Sequence, residues 1–396
     1  MNRRGFLTSA AAMAVVPFPI VTPLPPPTPL PYGPVQPGQF LQQLTIGVNV
    51  TLSGDYAQYG QQVVAGVQAA VDETNRFTAP ISHVWGWRSY DDRNDTAQAA
   101  ANASVAAADS TVVGIVGNLT AAMTIAALPR YANVGFAVVV PTVTADVITR
   151  RGFFNIFRLP ANDSSAGQLF ASTVLASRKS VPTIAVALDG DYGYDVARGY
   201  VQQAKSDHHP ADVLLFPKGT IDPAAAARTV LDKSPAYVFL CGKTAELGPV
   251  AEAMRLAGYT GEFGASDGFW TQQTIERYAK TMDGAYVASP MPPLDKIPTI
   301  IQLLKDFQNE VGQITPFSAF GYAAAQLIIA AAQISNANTR TTLLQSLQHG
   351  GTFTTLVGQF RFNINGDPQI PDIYLYTVSA GGFKFARPAI LNGYVL

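Results

Sequence analysis

The strongest constraint in this 396-residue chain is an alternation. Short, mainly apolar runs are separated by longer segments whose apolar residues recur at helical spacing. Residues 44–50 read LTIGVNV, and a Ser-Gly-Asp turn at 53–55 follows. Residues 61–74 then place Val63, Val64, Val67, Ala70 and Val71 on one helical face. Residues 112–117, a loop and a helix to Tyr131 repeat the unit, and further apolar runs lie at 136–140, 183–188, 213–216 and 237–240. Strands that are apolar throughout, not on alternate residues, are buried on both faces, which calls for a parallel sheet covered by helices. The expected fold class is therefore α/β, in three layers. There are more such units than one sheet of usual width holds, so two lobes are expected. The first group ends at 155–159 and the second begins at Thr183. Near the C-terminus the pattern changes: residues 359–362, 372–378 and 383–385 read as antiparallel hairpin strands around Gly366-Asp367 and Gly381-Gly382.

The segment before this body is of another kind. Arg3-Arg4-Gly5-Phe6-Leu7-Thr8 precedes a mildly apolar stretch, and no acidic residue occurs before Asp55. Paired arginines before a weakly hydrophobic run read as a twin-arginine export signal over residues 1–16, with Ala12-Met13-Ala14 as a small-residue cleavage site. No cysteine lies nearby to carry a lipid anchor. Residues 17–43 are dense in proline, which cannot donate to a strand ladder and favours an extended, semi-rigid spacer. The longest remaining apolar stretch, 319–334, is short for a membrane span and interrupted by Gln326, so a buried alanine-rich helix is expected. With 26 basic against 27 acidic side chains, the chain lacks the cationic excess that nucleic acid or an anionic membrane selects. One cysteine, Cys241, excludes an internal disulfide, and with four histidines it leaves no thiolate-rich metal site. No cofactor and no metal are expected.

Open α/β sheets bind ligands beyond the carboxyl ends of their strands. The loops there are 51–59, 117–124, 141–144, 189–194, 242–246 and 266–270. They carry hydroxyls, tyrosines and Asp267, which suits a small polar molecule between aromatic walls. Gly264-Ala265-Ser266-Asp267-Gly268 matches the G-x-S-x-G turn of serine hydrolases, with His349 available later in the chain, so a secreted hydrolase acting through Ser266 is the enzyme alternative. His349-Gly350-Gly351 reads better as a helix end, and Asp267 is the better candidate as a ligand-contacting acid. No G-x-G-x-x-G follows a strand and no Walker sequence is present. Asp91-Asp92 beside Arg93 reads as structural, His83 beside Trp85 as packing, and Cys241 as a small buried filler.

The same loops carry a family likeness. Leu52-Ser53-Gly54, Gln58-Tyr59-Gly60, a helix with Gly66, and Val71-Asp72-Glu73-Thr74-Asn75 resemble the opening of periplasmic leucine/isoleucine/valine-binding-like proteins, the substrate-binding components of ABC importers. The likeness continues through Asp91-Asp92, Ile115-Val116-Gly117, Ala127-Leu128-Pro129-Arg130-Tyr131, Phe157-Arg158, residues 189–193 (DGDYG), residues 255–258 (RLAG), Ser266-Asp267-Gly268, Gly358-Gln359-Phe360-Arg361-Phe362 and Gly366-Asp367. It spans roughly residues 44–390.

That resemblance implies a type I periplasmic binding fold: two Rossmann-like lobes joined by three hinge crossings and closing over a ligand. The crossings fall near Leu159-Pro160, near Val287-Ala288 and near residues 350–358. Lobe 1 then comprises 44–159 plus 288–350, and lobe 2 comprises 160–287 plus 351–396. The implied ligand-binding residues are Tyr59, Asn118, Thr120, Ala121, Val143, Thr144, Tyr192, Lys243 and Asp267. Two depart from the pattern: Ala121 stands where the family usually has a serine for the ligand carboxylate, and Lys243 where an aromatic is frequent. Val143 and Thr144 match a contact pair for carboxylate and ammonium, and Asp267 matches the acid that receives the ammonium. The implied function is capture, without chemistry, of an amino acid or related small polar metabolite by a periplasmic monomer that delivers it to a membrane permease. A ligand-sensing receptor subunit would use the same fold.

Overall fold

The computed structural model describes residues 42–77, 83–190, 192–219, 221–293, 314–335 and 339–389. The expected signal at 1–16, and the spacer up to residue 41, lie outside the described residues. Five strands form a first sheet: β1 (Gln42–Val50), β2 (His83–Asp91), β3 (Val112–Gly117), β4 (Ala137–Val140) and β5 (Ile156–Arg158). Their order is β2-β1-β3-β4-β5, and all neighbours run parallel. The unbroken apolar runs have the predicted cause, since both faces are covered. Val113, Val116, Ala137 and Val139 enter one core with the helices Ala57–Phe77, Pro316–Ser335 and Arg340–His349. Val112, Ile115, Val138 and Val140 enter a second core with the helices Thr96–Ala108 and Ala121–Asn133.

The helix expected at 319–334 is thus Pro316–Ser335, long and apolar enough to cross a membrane but mostly buried against the sheet. It packs tightly on Ala57–Phe77. A Cβ at Gly66 would stand 2.0 Å from the Ser318 carbonyl oxygen, and one at Gly321 would stand 2.4 Å from that of Val63. Only glycine allows backbones this close, which accounts for Gly66 in its motif.

The second sheet begins with β6 (Thr183–Leu188), β7 (Ala211–Phe216), β8 (Tyr237–Cys241), β9 (Glu262–Ala265) and β10 (Tyr286–Ser289). After the two-stranded ribbon β11 (Phe353–Thr355) and β12 (Gly358–Phe360), the hairpin β13 (Tyr374–Ser379) and β14 (Gly382–Pro388) completes it. The order is β14-β13-β10-β9-β8-β6-β7, antiparallel only at β13 and β14. The helices Asp163–Leu175 and Tyr194–Ser206 cover one face, and Pro223–Leu231, Thr244–Leu256 and Gln272–Tyr278 the other.

The chain changes sheets between β5 and Asp163, again after β10, and finally before β13. The last of these points falls later in the chain than expected. Strand β10 keeps residues up to Ser289 in the second sheet. Residues 351–362, expected with lobe 2, pack instead into the core around Pro316–Ser335. Phe353, Leu356, Val357, Phe360 and Phe362 are all buried there, and the Leu356 amide donates to the Gln326 side chain at 2.7 Å. Short apolar segments show a buried face in sequence but not the surface that buries it.

Candidate functional site

In the first sheet β1, β3 and β4 are neighbours, so the loops that leave their carboxyl ends lie side by side. Asp92, fully buried after β2, ties two of them together. It accepts from the Thr51 hydroxyl at 2.5 Å, the Asn94 amide at 3.0 Å and the Asn118 side-chain amide at 3.0 Å. Beside it, burial alone would raise the Asp91 carboxyl, but hydrogen bonds from the Leu52 and Arg93 amides outweigh that and hold it below its ordinary value. The Asp91-Asp92 pair is a brace for the loops.

Asn118 is therefore fixed through its amide. Its Oδ1, like the Thr142 hydroxyl in the loop after β4, is buried and has no hydrogen-bond partner among the described residues. Such acceptors are costly unless something pairs with them. Thr120 caps the helix Ala121–Asn133 and accepts from the Met123 amide at 3.4 Å, with Ala121 as the first helical residue. Tyr59 lies on the first turn of Ala57–Phe77, half-buried, its ring 4.7 Å from that of Phe317.

The loop after β4 is held by Arg158 at the end of β5. This guanidinium is fully buried, and its Nη1 donates to the carbonyls of Thr144 and Ala145 at 2.7 Å each. Its Nη2 donates to the Thr149 hydroxyl at 2.6 Å and, with Nε, to Asp367 Oδ1 at 2.6 and 2.8 Å. Val143 is buried beside it.

The second sheet contributes an acid and a phenol. The Tyr192 hydroxyl donates to Asp267 Oδ1 and accepts from the Gly268 amide at 3.2 Å. Burial raises the Asp267 carboxyl above its ordinary value, although the Tyr192 hydrogen bond counters it. The Tyr192 phenol is pushed well up, first by burial and then by the charge of Asp267. Trp270, just beyond, packs against the cores of both sheets. Lys243 is exposed at the start of the helix Thr244–Leu256.

The strand-end loops alone miss Asp163. It is the first residue of the helix Asp163–Leu175, 6% exposed, and its amide donates to the Thr144 carbonyl at 3.0 Å. Burial and the charge of Asp267 push its carboxyl up to about 7, against the nearby Thr144 hydroxyl and the charge of Arg158. Asp163 thus bonds Thr144 of the first sheet through the main chain and feels the charge of Asp267 in the second. In sequence, Asn162-Asp163-Ser164-Ser165 shows only a helix start, and Asn162 does cap it by accepting from the Ser165 amide.

The hydrolase alternative is not assembled. The Ser266 hydroxyl is buried, accepting from the Gly242 amide at 3.2 Å and donating to the Gly242 carbonyl at 3.3 Å, while His349 ends a helix packed on the first sheet. Ser266 pins the loop after β8 to the loop after β9.

Comparison with known proteins agrees with this architecture. A family model described as "Periplasmic binding protein" matches residues 43–383. Leu/Ile/Val-binding protein homolog 1 of Brucella melitensis is 23% identical over 347 residues, 87% of this chain and 92% of the relative. An ABC transporter substrate-binding protein from Desulfitobacterium hafniense, solved in complex with Leu, superimposes with a TM-score of 0.74 at 20% identity, covering 87% of this chain and all of that one (100%). A solute-binding protein of an R. palustris ABC transporter, solved in complex with benzoate, has a TM-score of 0.69 at 16% identity, covering 88% of this chain and 97% of that one.

Proposed function

We propose that this chain, which belongs to the periplasmic binding protein family, is the capture component of an ABC importer and holds an amino acid or related small polar metabolite between its two lobes. Membership makes it an extracytoplasmic substrate-binding protein and not an enzyme. In this reading lobe 1 is the first sheet with its helices and the 351–362 segment, and lobe 2 is the second sheet with its own. The first-lobe loops bearing Tyr59, Asn118, Thr120, Ala121, Val143 and Thr144 receive the ligand, and Tyr192 and Asp267 complete its shell on closure. Closure follows because the ligand binds the closed state better than the open one. The closed form is what a permease recognises, and residues 1–16 direct export by the twin-arginine route.

The observation that supports an ammonium-bearing ligand is Asp267, whose carboxyl is half-buried with a tyrosine hydroxyl and has no basic side chain bonded to it among the described residues. A carboxylate drawn even partly out of water without a cation is unfavourable until one arrives. The experiment is calorimetry on the mature protein with L-leucine, its amide and benzoate as probes. Asp267→Ala is expected to weaken the ammonium-bearing probes by about 1.5–3 kcal/mol, roughly ten- to a hundredfold, and to leave benzoate unaffected. Unchanged leucine affinity removes Asp267 from the site. Binding of benzoate alone refutes the amino-acid reading.

A further inference from the structure

The helix Asp163–Leu175 covers the second sheet, yet its first turn is completed from the first. The backbone N–H groups of a helix's first turn have no partner within the helix. Asn162 caps the Ser165 amide, but the Asp163 amide donates to the Thr144 carbonyl at 3.0 Å and the Ser164 amide to Asp146 Oδ1 at 3.1 Å. Both acceptors stand in the loop after β4. The Ser164 hydroxyl adds a bond to Asp146 Oδ2 at 2.5 Å. Asp146 is 2% exposed, and the largely exposed Arg150 side chain pairs with the same carboxylate. From β5, Arg158 holds this loop by the carbonyls of Thr144 and Ala145.

Only residues 159–162 separate Arg158 from Asp163, so the contact sits where the chain first passes between the sheets. Parting Asp146 from the helix start would strip donors from a buried carboxylate and leave two helix N–H groups unpaired, both costly out of water. A rotation centred on the contact parts nothing, because points near an axis hardly move. We propose that Asp146 is a positioning residue: its carboxylate, held by the start of the helix Asp163–Leu175, makes this contact the pivot about which the two lobes turn, kept in the open and the closed form alike. The proposal rests on the two-lobe capture reading for its purpose and on these hydrogen bonds for its place. Val143 and Thr144 belong to the loop so held. A fixed pivot therefore brings Tyr192 and Asp267 to the same position opposite them at every closure. Without it the lobes also close out of register, and the fraction competent to bind falls.

The test reads the lobes directly. Val105, 57% exposed on the helix Thr96–Ala108, and Leu256, 85% exposed at the end of Thr244–Leu256, lie on helices of different sheets. Val105→Cys and Leu256→Cys take spin labels, while Cys241 is buried. Pulsed dipolar spectroscopy on the mature protein then gives the distribution of distances between the lobes. Asp146→Ala should broaden it without ligand, Ser164→Ala should broaden it less because the amide still donates, and Arg150→Gln should leave it as it is. L-Leucine should bind Asp146→Ala about three- to tenfold more weakly, as the competent fraction falls by that factor. A purely structural Asp146 would lower Tm but leave both the distances and the leucine affinity unchanged, which overturns the proposal. A latch made only in the closed form would broaden the leucine-bound distribution alone, and that result overturns it too. Equal broadening by Arg150→Gln assigns the contact to an exposed ion pair, with the same consequence. Where Asp146→Ala does not fold, Ser164→Ala, which suits a helix, decides by the same distances. If leucine fails to bind the wild type, the functional reading fails, and the ligand-free distances alone decide for or against the pivot.

Discussion

Replacing Asp367 with alanine tests whether Arg158 is the fixed point from which the loop after β4 is hung. The Arg158 side chain is 0% exposed and that of Asp367 is 13% exposed. Every nitrogen of the guanidinium is engaged: Nε and Nη2 by Asp367, Nη2 also by Thr149, and Nη1 by two carbonyls. Asp367→Ala leaves a cation in a dry site with neutral partners only. Breaking a buried pair from one side costs about 3–5 kcal/mol, because the remaining charge is not solvated. The partial exposure of Asp367 lets water approach, which places the expectation at the lower end, about 3 kcal/mol. With an unfolding entropy of about 2 cal/mol/K per residue over roughly 350 residues, this lowers Tm by about 4 °C. Asp367→Asn keeps an acceptor and should fall between wild type and alanine. Calorimetric unfolding at low and high salt is the assay, since a buried pair is screened little and the difference should survive 1 M salt. A loss under about 1 kcal/mol, or one that salt removes, would refute the argument by showing that Arg158 is solvated after all.

Thr51→Val removes the hydroxyl that donates to buried Asp92 and should cost about 1.5–3 kcal/mol in urea unfolding, with Thr51→Ser nearly neutral; a loss in Thr51→Ser with none in Thr51→Val would mean that the methyl group matters and the hydrogen bond does not. Gly268→Ala would place a Cβ 2.2 Å from the Gly242 carbonyl oxygen and 2.9 Å from Tyr192 Cε1. It should lower stability by about 1–3 kcal/mol in thermal unfolding, and an unchanged Tm would contradict the close approach of these loops.

The α/β class was legible because burial on both faces leaves a mark that does not depend on partners: runs such as 112–117 and 184–188 are apolar at every position. The same holds for the helix Pro316–Ser335, where composition alone implied a buried element. Where a segment's meaning lies in what it meets, the sequence is mute. Phe353, Phe360 and Phe362 announce a buried face, but not that the first sheet's core receives it. Asp267 and Tyr192 were singled out because strand-end loops are where ligands sit in such sheets. Asp163 was not, because a helix-capping sequence explains it locally and only the fold brings it to Thr144. Phe157-Arg158 and Gly366-Asp367 were recognised as motifs, while the reason for them, a cation at the end of one strand closing on an acid two hundred residues away, is a tertiary fact.

The two departures from the family pattern can be weighed on the same basis. In the proposed site, alanine at 121 leaves the first lobe without a hydroxyl to hold a ligand carboxylate, and Thr120 cannot replace it without giving up the cap on Met123. What remains there for an anion is the main-chain N–H array at the start of the helix Ala121–Asn133, which attracts negative charge but fixes its direction less well than a hydroxyl beside it. On the second lobe the acid is retained, and Asp163 adds another beside it. Lys243, being exposed at the end of its loop, is placed to affect the approach of an anionic ligand more than its final contacts. In the proposed site the balance of fixed groups therefore falls on the cationic end of the ligand. Tolerance to changes at the carboxylate, with amides accepted alongside acids, follows from that imbalance, and strict demand for a free carboxylate would show that the helix start at Ala121 holds the anion unaided.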